Sequence, residues 1–177
     1  MNHMNIVLIG YRGCGKTTMG RLLAEQLWKT FVDVDDETCK RFGGATIAEI
    51  WQEHGESEWR RVETKVTGDL MSRSEHVIGL GGGSLMQPAA RAAVESAPDT
   101  VRIYLQCEPQ VLFERISSDT ETTASRPNLT ELGGSLEEIS TVLAEREPVY
   151  RAVADKVLDV THLQPEDAVR YLIKLCL

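Results

Sequence analysis

The run Gly10-Tyr-Arg-Gly-Cys-Gly-Lys16-Thr17 constrains this chain more than any other stretch, because it fixes a loop and the elements on either side of it. It follows Asn5-Ile-Val-Leu-Ile9, a short unbroken apolar run of the kind found in strands covered on both faces. It precedes Met19, Leu22, Leu23 and Leu27, which share one face of a helix between Lys16 and Trp28. Phe31-Val-Asp-Val34 follows at once as a second strand, so the opening segment reads β–α–β. Glycines at this spacing let successive backbone N–H groups curl round a phosphate, and the helix N-terminus adds partial positive charge. Lys16 brings a compact cation to the β and γ oxygens of a nucleoside triphosphate, and the Thr17 hydroxyl is placed to ligate Mg2+. Gly13, Cys14, Gly15, Lys16, Thr17 and Thr18 are therefore the expected ATP contacts. Arg12 reads as a further phosphate contact or as a solvated loop arginine. Cys14 reads as a small residue in a variable slot or as an oxidation-sensitive thiol.

Strand and helix signals go on alternating. Thr46 with Glu49 forms a capping box before Ile47, Ile50 and Trp51, and Gly55 stands where a C′ glycine would. Trp59, Val62, Val66 and Leu70 mark the buried stripe of a further helix. His76-Val-Ile-Gly-Leu80 is a strand running into Gly81-Gly82-Gly83. Pro88 opens an alanine-rich helix, Thr100–Gln106 is a strand, and Pro109 begins a helix through Ile116. Ser135 with Glu138 caps a helix toward Tyr150, Lys156–Val160 is the last strand, and Pro165 begins the last helix. Five strands alternating with helices, with no repeat and no dividing linker, predict one α/β domain over residues 1–177. Its expected form is a three-layer fold, a five-stranded parallel sheet with helices on both faces. The polar stretch Ser117–Gly134 is too long for an ordinary connection and is expected to be a mobile lid.

Charge and cysteine usage narrow the partners. A net charge of −8 argues against nucleic acid, although a local basic cluster can still hold a small anion. No apolar window approaches the ~18 residues of a membrane span, and the N-terminus lacks the charged start of a secretory signal. Cys14, Cys39, Cys107 and Cys176 lie far apart with no C-x-x-C, as reduced thiols in a cytoplasmic protein would. His3, His54, His76 and His162 show no metal-ligand spacing, and nothing demands more than a monomer.

A phosphate loop leaves the acceptor open. Transfer to a small hydroxyl needs a carboxylate at the acceptor, a metal, and cations around the moving group. Asp33 and Asp35, two apart at the end of the second strand, would share a face there, at the sheet edge where ligands bind. The competing reading makes Asp35 a helix N-cap and Asp33 a plain loop acid. Arg60-Arg61, taken alone, is most simply a solvated face. Three consecutive glycines at 81–83 cost chain entropy, which points to a backbone that must approach something closely. Arg126-Pro127 places a restrained cation in the lid segment, with an ordinary flexible-loop arginine as the alternative. Arg146, late in its helix, is explicable by dipole compensation alone.

In this order the elements resemble the shikimate kinases, from Ile6 through about Val160. The resemblance rests on the phosphate loop, Asp33-Val-Asp35, Glu58-Trp-Arg60-Arg61-Val-Glu63, Gly81-Gly82-Gly83, Arg126-Pro127 and Arg146-Glu-Pro-Val-Tyr150. It implies ATP- and Mg-dependent phosphorylation of the 3-hydroxyl of shikimate to shikimate 3-phosphate, on the pathway to chorismate and aromatic amino acids. By resemblance, Asp35 contacts the substrate hydroxyls and is the base, Asp33 lies near the metal with Thr17, and Lys16 and Arg126 surround the γ-phosphoryl. Arg60 and Arg146 grip the substrate carboxylate, and Gly82 touches substrate through its backbone. Two guanidinium forks suit one carboxylate, because each pairs with it bidentately.

The chain departs from the family pattern in two places. The lid reads Arg126-Pro-Asn-Leu129 where the family commonly has Arg-Pro-Leu-Leu. Thr161-His-Leu-Gln-Pro165 stands where a basic residue often packs on adenine. Arg115 is a candidate for that side, with an exposed helix arginine as the alternative. The rival functions are a small P-loop kinase acting on gluconate or a nucleotide, and a nucleotide-binding regulatory module that transfers nothing. A nucleotide acceptor would want a slot for its base, and a regulatory module has no use for Asp35, Arg60, Gly82 and Arg146 together.

Overall fold

The computed structural model describes residues 4–119 and 134–176. At its centre lies β1 (Asn5–Ile9), whose Ile6, Val7, Leu8 and Ile9 are all buried. Successive residues of a strand point to opposite faces, so a strand buried at every position must be covered on both sides. Around it the sheet runs in the order β2 (Thr30–Asp33), β3 (His76–Gly79), β1, β4 (Thr100–Gln106), β5 (Lys156–Asp159), with every pairing parallel. This is the expected five-stranded parallel sheet.

The helices are α1 (Lys16–Leu27), α2 (Val34–Arg41), α3 (Ile47–Met71), α4 (Pro88–Ser96), α5 (Pro109–Ser118), α6 (Leu136–Val153) and α7 (Pro165–Cys176). α1 packs against α7, while contacts of α3 with α4, α4 with α6 and α5 with α6 link the others. The start signals operate as expected. Pro88 and Pro109 occupy first-turn positions, and the Thr46–Glu49 capping box is complete. Ser135 Oγ accepts from the Glu138 N–H at 3.2 Å.

Three expectations need correction. The second strand ends at Asp33, and Val34 already opens α2, a helix raised in the sequence only by the competing reading of Asp35 as an N-cap; the cap is Asp33. Gly55, at φ 81 and ψ 160, breaks the helical path as a C′ glycine would, but the next helix follows at once, so the two expected helices run as one kinked α3. At the expected lid, Ser117 and Ser118 belong to α5. Residues 120–133, Arg126 among them, lie outside the described residues.

One buried cation holds the sheet to α4. The side chain of Arg102 on β4 donates to the carbonyls of Val94 (2.7 Å), Glu95 (2.9 Å), Ala97 (2.9 Å) and Thr100 (3.2 Å), and meets Asp155 Oδ2 at 3.3 Å. It thereby satisfies carbonyls at the C-terminus of α4 that have no partner within the helix. Arg102→Met is expected to cost about 2 kcal/mol, because those acceptors stay buried without their donor. A urea midpoint equal to that of the wild type would show the contacts to be dispensable.

Candidate active site

The phosphate loop, the glycine triplet and the start of α2 leave the carboxyl ends of β1, β3 and β2 side by side, since Leu8 and Asp33 both lie in register with Gly79. Gly15, at φ 97, caps α1, and a side chain there would press on Met19. Lys16 Nζ donates to the carbonyl oxygens of Gly10 (2.7 Å) and Tyr11 (3.0 Å), which draws the ammonium across the loop. Cys14 is buried, its Sγ 3.8 Å from that ammonium, so the thiol packs under the loop. Gly13, Cys14, Gly15, Lys16, Thr17 and Thr18 all line a cleft of about 1030 Å3, which Asp33, Asp35 and Gly82 also border.

The two aspartates are placed differently from the sequence expectation. They do not share a strand face. Asp33 ends β2 and is the N-cap of α2, its Oδ1 accepting from the N–H groups of Asp35 (2.9 Å) and Asp36 (3.4 Å). Its Oδ2 accepts from Thr17 Oγ1 at 2.9 Å, so one carboxylate ties the phosphate loop to the start of α2. Asp35 lies in the first turn of α2, where the helix dipole favours its charge. The helix turn, not the pleat, aims it at the cleft.

A second pocket of about 60 Å3 opens beside the cleft, bordered by Arg60, Glu63, Trp51, Gly83 and Arg146. Arg12, Asp35 and Gly82 line both spaces. Arg60 is held by Glu63 Oε2 (2.8 Å) and Glu56 Oε1 (3.2 Å), with its guanidinium 5.8 Å from the Trp51 ring centre. Burial alone would lower its pKa, and the two glutamates more than offset this. Arg61 faces outward and pairs with Glu58, so only one of the two arginines enters the site.

The glycine triplet is crowded from both sides. A Cβ on Gly81 would lie 2.5 Å from Asp35 Oδ1 and 2.5 Å from Glu63 Oε1, and one on Gly83 would lie 2.6 Å from Arg60 Nη2. Gly82 has ordinary clearance, and its carbonyl accepts from the Tyr150 hydroxyl. Burial pushes the Tyr150 phenol well above its usual pKa, with Arg146 pulling the other way. Arg146 lies 5.9 Å from the Tyr11 ring centre. The structure therefore brings Lys16, Thr17, Asp33, Asp35, Arg60, Gly82 and Arg146 together around two adjoining spaces.

The sequence assigns Glu63 and Tyr150 no role in the site, and Glu138 only that of a helix cap. Glu63 is 1% exposed and anchors Arg60 and Ser84, the latter through Oγ at 2.6 Å. Its signal was a charge in the buried stripe Trp59, Val66, Leu70. Arg115 donates to the carbonyls of Val160 (3.2 Å) and Thr161 (3.3 Å) on the wall of the large cleft, so it is no freely solvated helix arginine.

A phosphate loop at the head of a parallel sheet, opening into a small pocket lined by arginines and a carboxylate, defines a P-loop kinase for a small anionic acceptor. Comparison with known proteins narrows this. The model of the shikimate kinase family matches residues 12–177. Shikimate kinase of Rhodopirellula baltica is 36% identical over 170 residues, covering 96% of this chain and 89% of that protein. Shikimate kinase of Methylococcus capsulatus is 38% identical over 172 residues, covering 97% of this chain and 92% of that protein. Among solved structures, shikimate kinase from Acinetobacter baumannii in complex with shikimate superposes with a TM-score of 0.87 at 31% identity, covering 97% of this chain and 92% of that one. The chain belongs to the shikimate kinase family.

Proposed function

We propose that this protein transfers the γ-phosphoryl group of ATP to the 3-hydroxyl of shikimate, giving ADP and shikimate 3-phosphate. The observation that carries the reading is the shared wall. Asp35 and Gly82 border both the phosphate cleft and the arginine-lined pocket, so an acceptor hydroxyl beside Asp35 faces the phosphates. The likeness to a relative solved with shikimate supports the choice of acceptor.

In this reading the backbone of Gly13–Thr18 cradles the phosphates and Lys16 swings from the loop carbonyls to the β and γ oxygens. Arg60 and Arg146 hold the acceptor carboxylate, Gly82 contacts it through its backbone, and Asp35 takes the proton of the attacking hydroxyl. Arg126 is assigned to the γ-phosphoryl by family resemblance. Thr17 Oγ1 and Asp33 Oδ2, 2.9 Å apart, are hard oxygen donors of the type Mg2+ takes, the rest of its shell commonly being water and phosphate. When bound, the ion would neutralise charge on the phosphates, with Thr17 as direct ligand and Asp33 acting through water. Positioning and charge neutralisation supply most of the rate.

No helix among the described residues is long and apolar enough to cross a membrane, and all four cysteines are free thiols. Both fit a cytoplasmic enzyme working as a monomer.

A coupled ADP-release assay with ATP, Mg2+ and shikimate tests the function, with gluconate and nucleoside monophosphates as controls. Turnover with shikimate alone is expected. Turnover with a control and none with shikimate would overturn the choice of acceptor, and silence on all would favour the regulatory module. Arg60→Ala is expected to raise the shikimate KM by about 10- to 100-fold, the worth of a charge-assisted hydrogen bond, with the ATP KM unchanged. An unaltered shikimate KM would remove Arg60 from the acceptor site.

A further inference from the structure

Arg12 has no role in the scheme above, yet it occupies the seam between the two spaces. It lines the nucleotide cleft and the acceptor pocket alike, and a Cβ on Gly82 would lie 3.5 Å from the Arg12 backbone nitrogen. It thus stands, with Asp35 and Gly82, where the two spaces adjoin. We propose that Arg12 is a further catalytic residue of this enzyme, its guanidinium contacting the phosphoryl group in transit while the buried carboxylate of Glu138 holds it in place. The inference rests on the shikimate kinase reading.

Burial separates this arginine from a solvated loop residue. Its side chain is 11% exposed, and the carboxylate facing it, Glu138 Oε1 at 3.7 Å from Nη2, is fully buried. Taking a guanidinium out of water is expensive unless an anion compensates it, and Glu138 supplies that anion. Glu138 lies in the first turn of α6, whose N-terminal dipole favours the charged form. The 3.7 Å separation is that of an ion pair, which holds the fork at the seam.

The neighbouring groups fix what the fork can meet. Lys16 borders only the nucleotide cleft, and Arg60 and Arg146 border only the acceptor pocket. Arg12 stands between, alongside Asp35. Transfer forms a bond from the acceptor oxygen to the γ-phosphorus as the bond to the ADP oxygen breaks, and the hydroxyl proton passes to Asp35. Arg12 makes and breaks no covalent bond and keeps its protons. Its contribution is to stabilise negative charge spread over the equatorial oxygens of the phosphoryl group, from the acceptor side. On this proposal the group Arg12 meets is the phosphate that product carries and shikimate lacks, so its loss weakens product more than substrate.

The test compares product with substrate. Arg12→Met keeps the length of the side chain and removes the fork. It is expected to lower kcat by about 100-fold, the effect of deleting one preorganised donor, with the affinity for ADP and shikimate little changed. The Kd of shikimate 3-phosphate is expected to rise by about tenfold or more, measured by calorimetry, so the ratio of product to substrate affinity moves. Glu138→Gln, which frees the fork without deleting it, is expected to move that ratio the same way by a smaller factor. A purely structural Arg12 would shift both affinities together, and that result, or an unchanged kcat, would overturn the proposal. Should Arg12→Met fail to fold, Arg12→Lys decides. It keeps the charge but not the planar fork, so about a tenfold loss of kcat is expected, and wild-type behaviour would overturn the proposal. Failure of the wild type to phosphorylate shikimate would instead bring down the functional reading.

Discussion

Asp35→Asn is expected to lower turnover by about 1000-fold while Mg·ATP binding and the fold survive. The substitution is isosteric and removes the negative charge together with the capacity to take a proton. Asp35 packs its Oδ1 against Gly81, where Glu63 Oε1 also converges, so an amide in its place reduces the repulsion between two carboxylates. Against this stands the loss of a charge in the first turn of α2, which the helix dipole favours. The two effects oppose each other, so the thermal midpoint should move little and the loss of rate cannot be assigned to unfolding. Asp33→Asn is the matching control. Asn caps a helix about as well as Asp, so α2 should persist while its link to Thr17 and the metal weakens. Single-turnover kinetics with preformed Mg·ATP complex separate the two. Turnover of Asp35→Asn at the wild-type rate would remove Asp35 from the base role.

The middle of the parallel sheet was legible because a central strand such as β1 is covered on both faces, and an unbroken apolar run such as Ile6–Ile9 has little else to become. α2 was not, because it carries no apolar stripe. Of its eight residues only Val34 and Thr38 are buried. It is written instead in charge, with Asp35, Asp36 and Glu37 in the first turn and Lys40 and Arg41 in the last, a pattern matched to the dipole. Setting that helix aside put Asp35 on a strand face, when it lies just past the end of β2 in the first turn of α2. Arg60 and Arg61 could be told apart only by phase beside the buried Trp59, and the structure turns one to the pocket and the other to Glu58. Contacts between distant segments, such as Tyr150 with Gly82 or Arg12 with Glu138, leave no local pattern to read. Each depends on the sheet first bringing its loops together.

The largest loss of stability is expected from Glu63→Ala. Glu63 joins three parts of the site: Oε2 meets Arg60 Nη1 at 2.8 Å, Oε1 accepts from Ser84 Oγ at 2.6 Å, and the same oxygen closes on Gly81. Both partners in the ion pair are largely shielded from water, the Arg60 side chain being 14% exposed and Glu63 1%. Removing one member of such a pair leaves a desolvated charge, a loss of about 3 kcal/mol or more. Glu56 is a poor substitute, because at 53% exposed its attraction is screened by solvent. For a chain of this size the thermal midpoint should fall by roughly 6 to 12 °C. Arg60 then has reason to turn toward solvent, so the shikimate KM should rise as in Arg60→Ala. Glu63→Gln keeps an acceptor for Ser84 and most of the volume, so it should recover part of the stability. The double variant with both Arg60 and Glu63 as Ala should be less destabilised than the sum of the two single changes, since neither charge is then left alone. Additive losses in that cycle would show that the pair acts as two independent groups. An unshifted midpoint in Glu63→Ala would show that the floor of the pocket is held by other contacts.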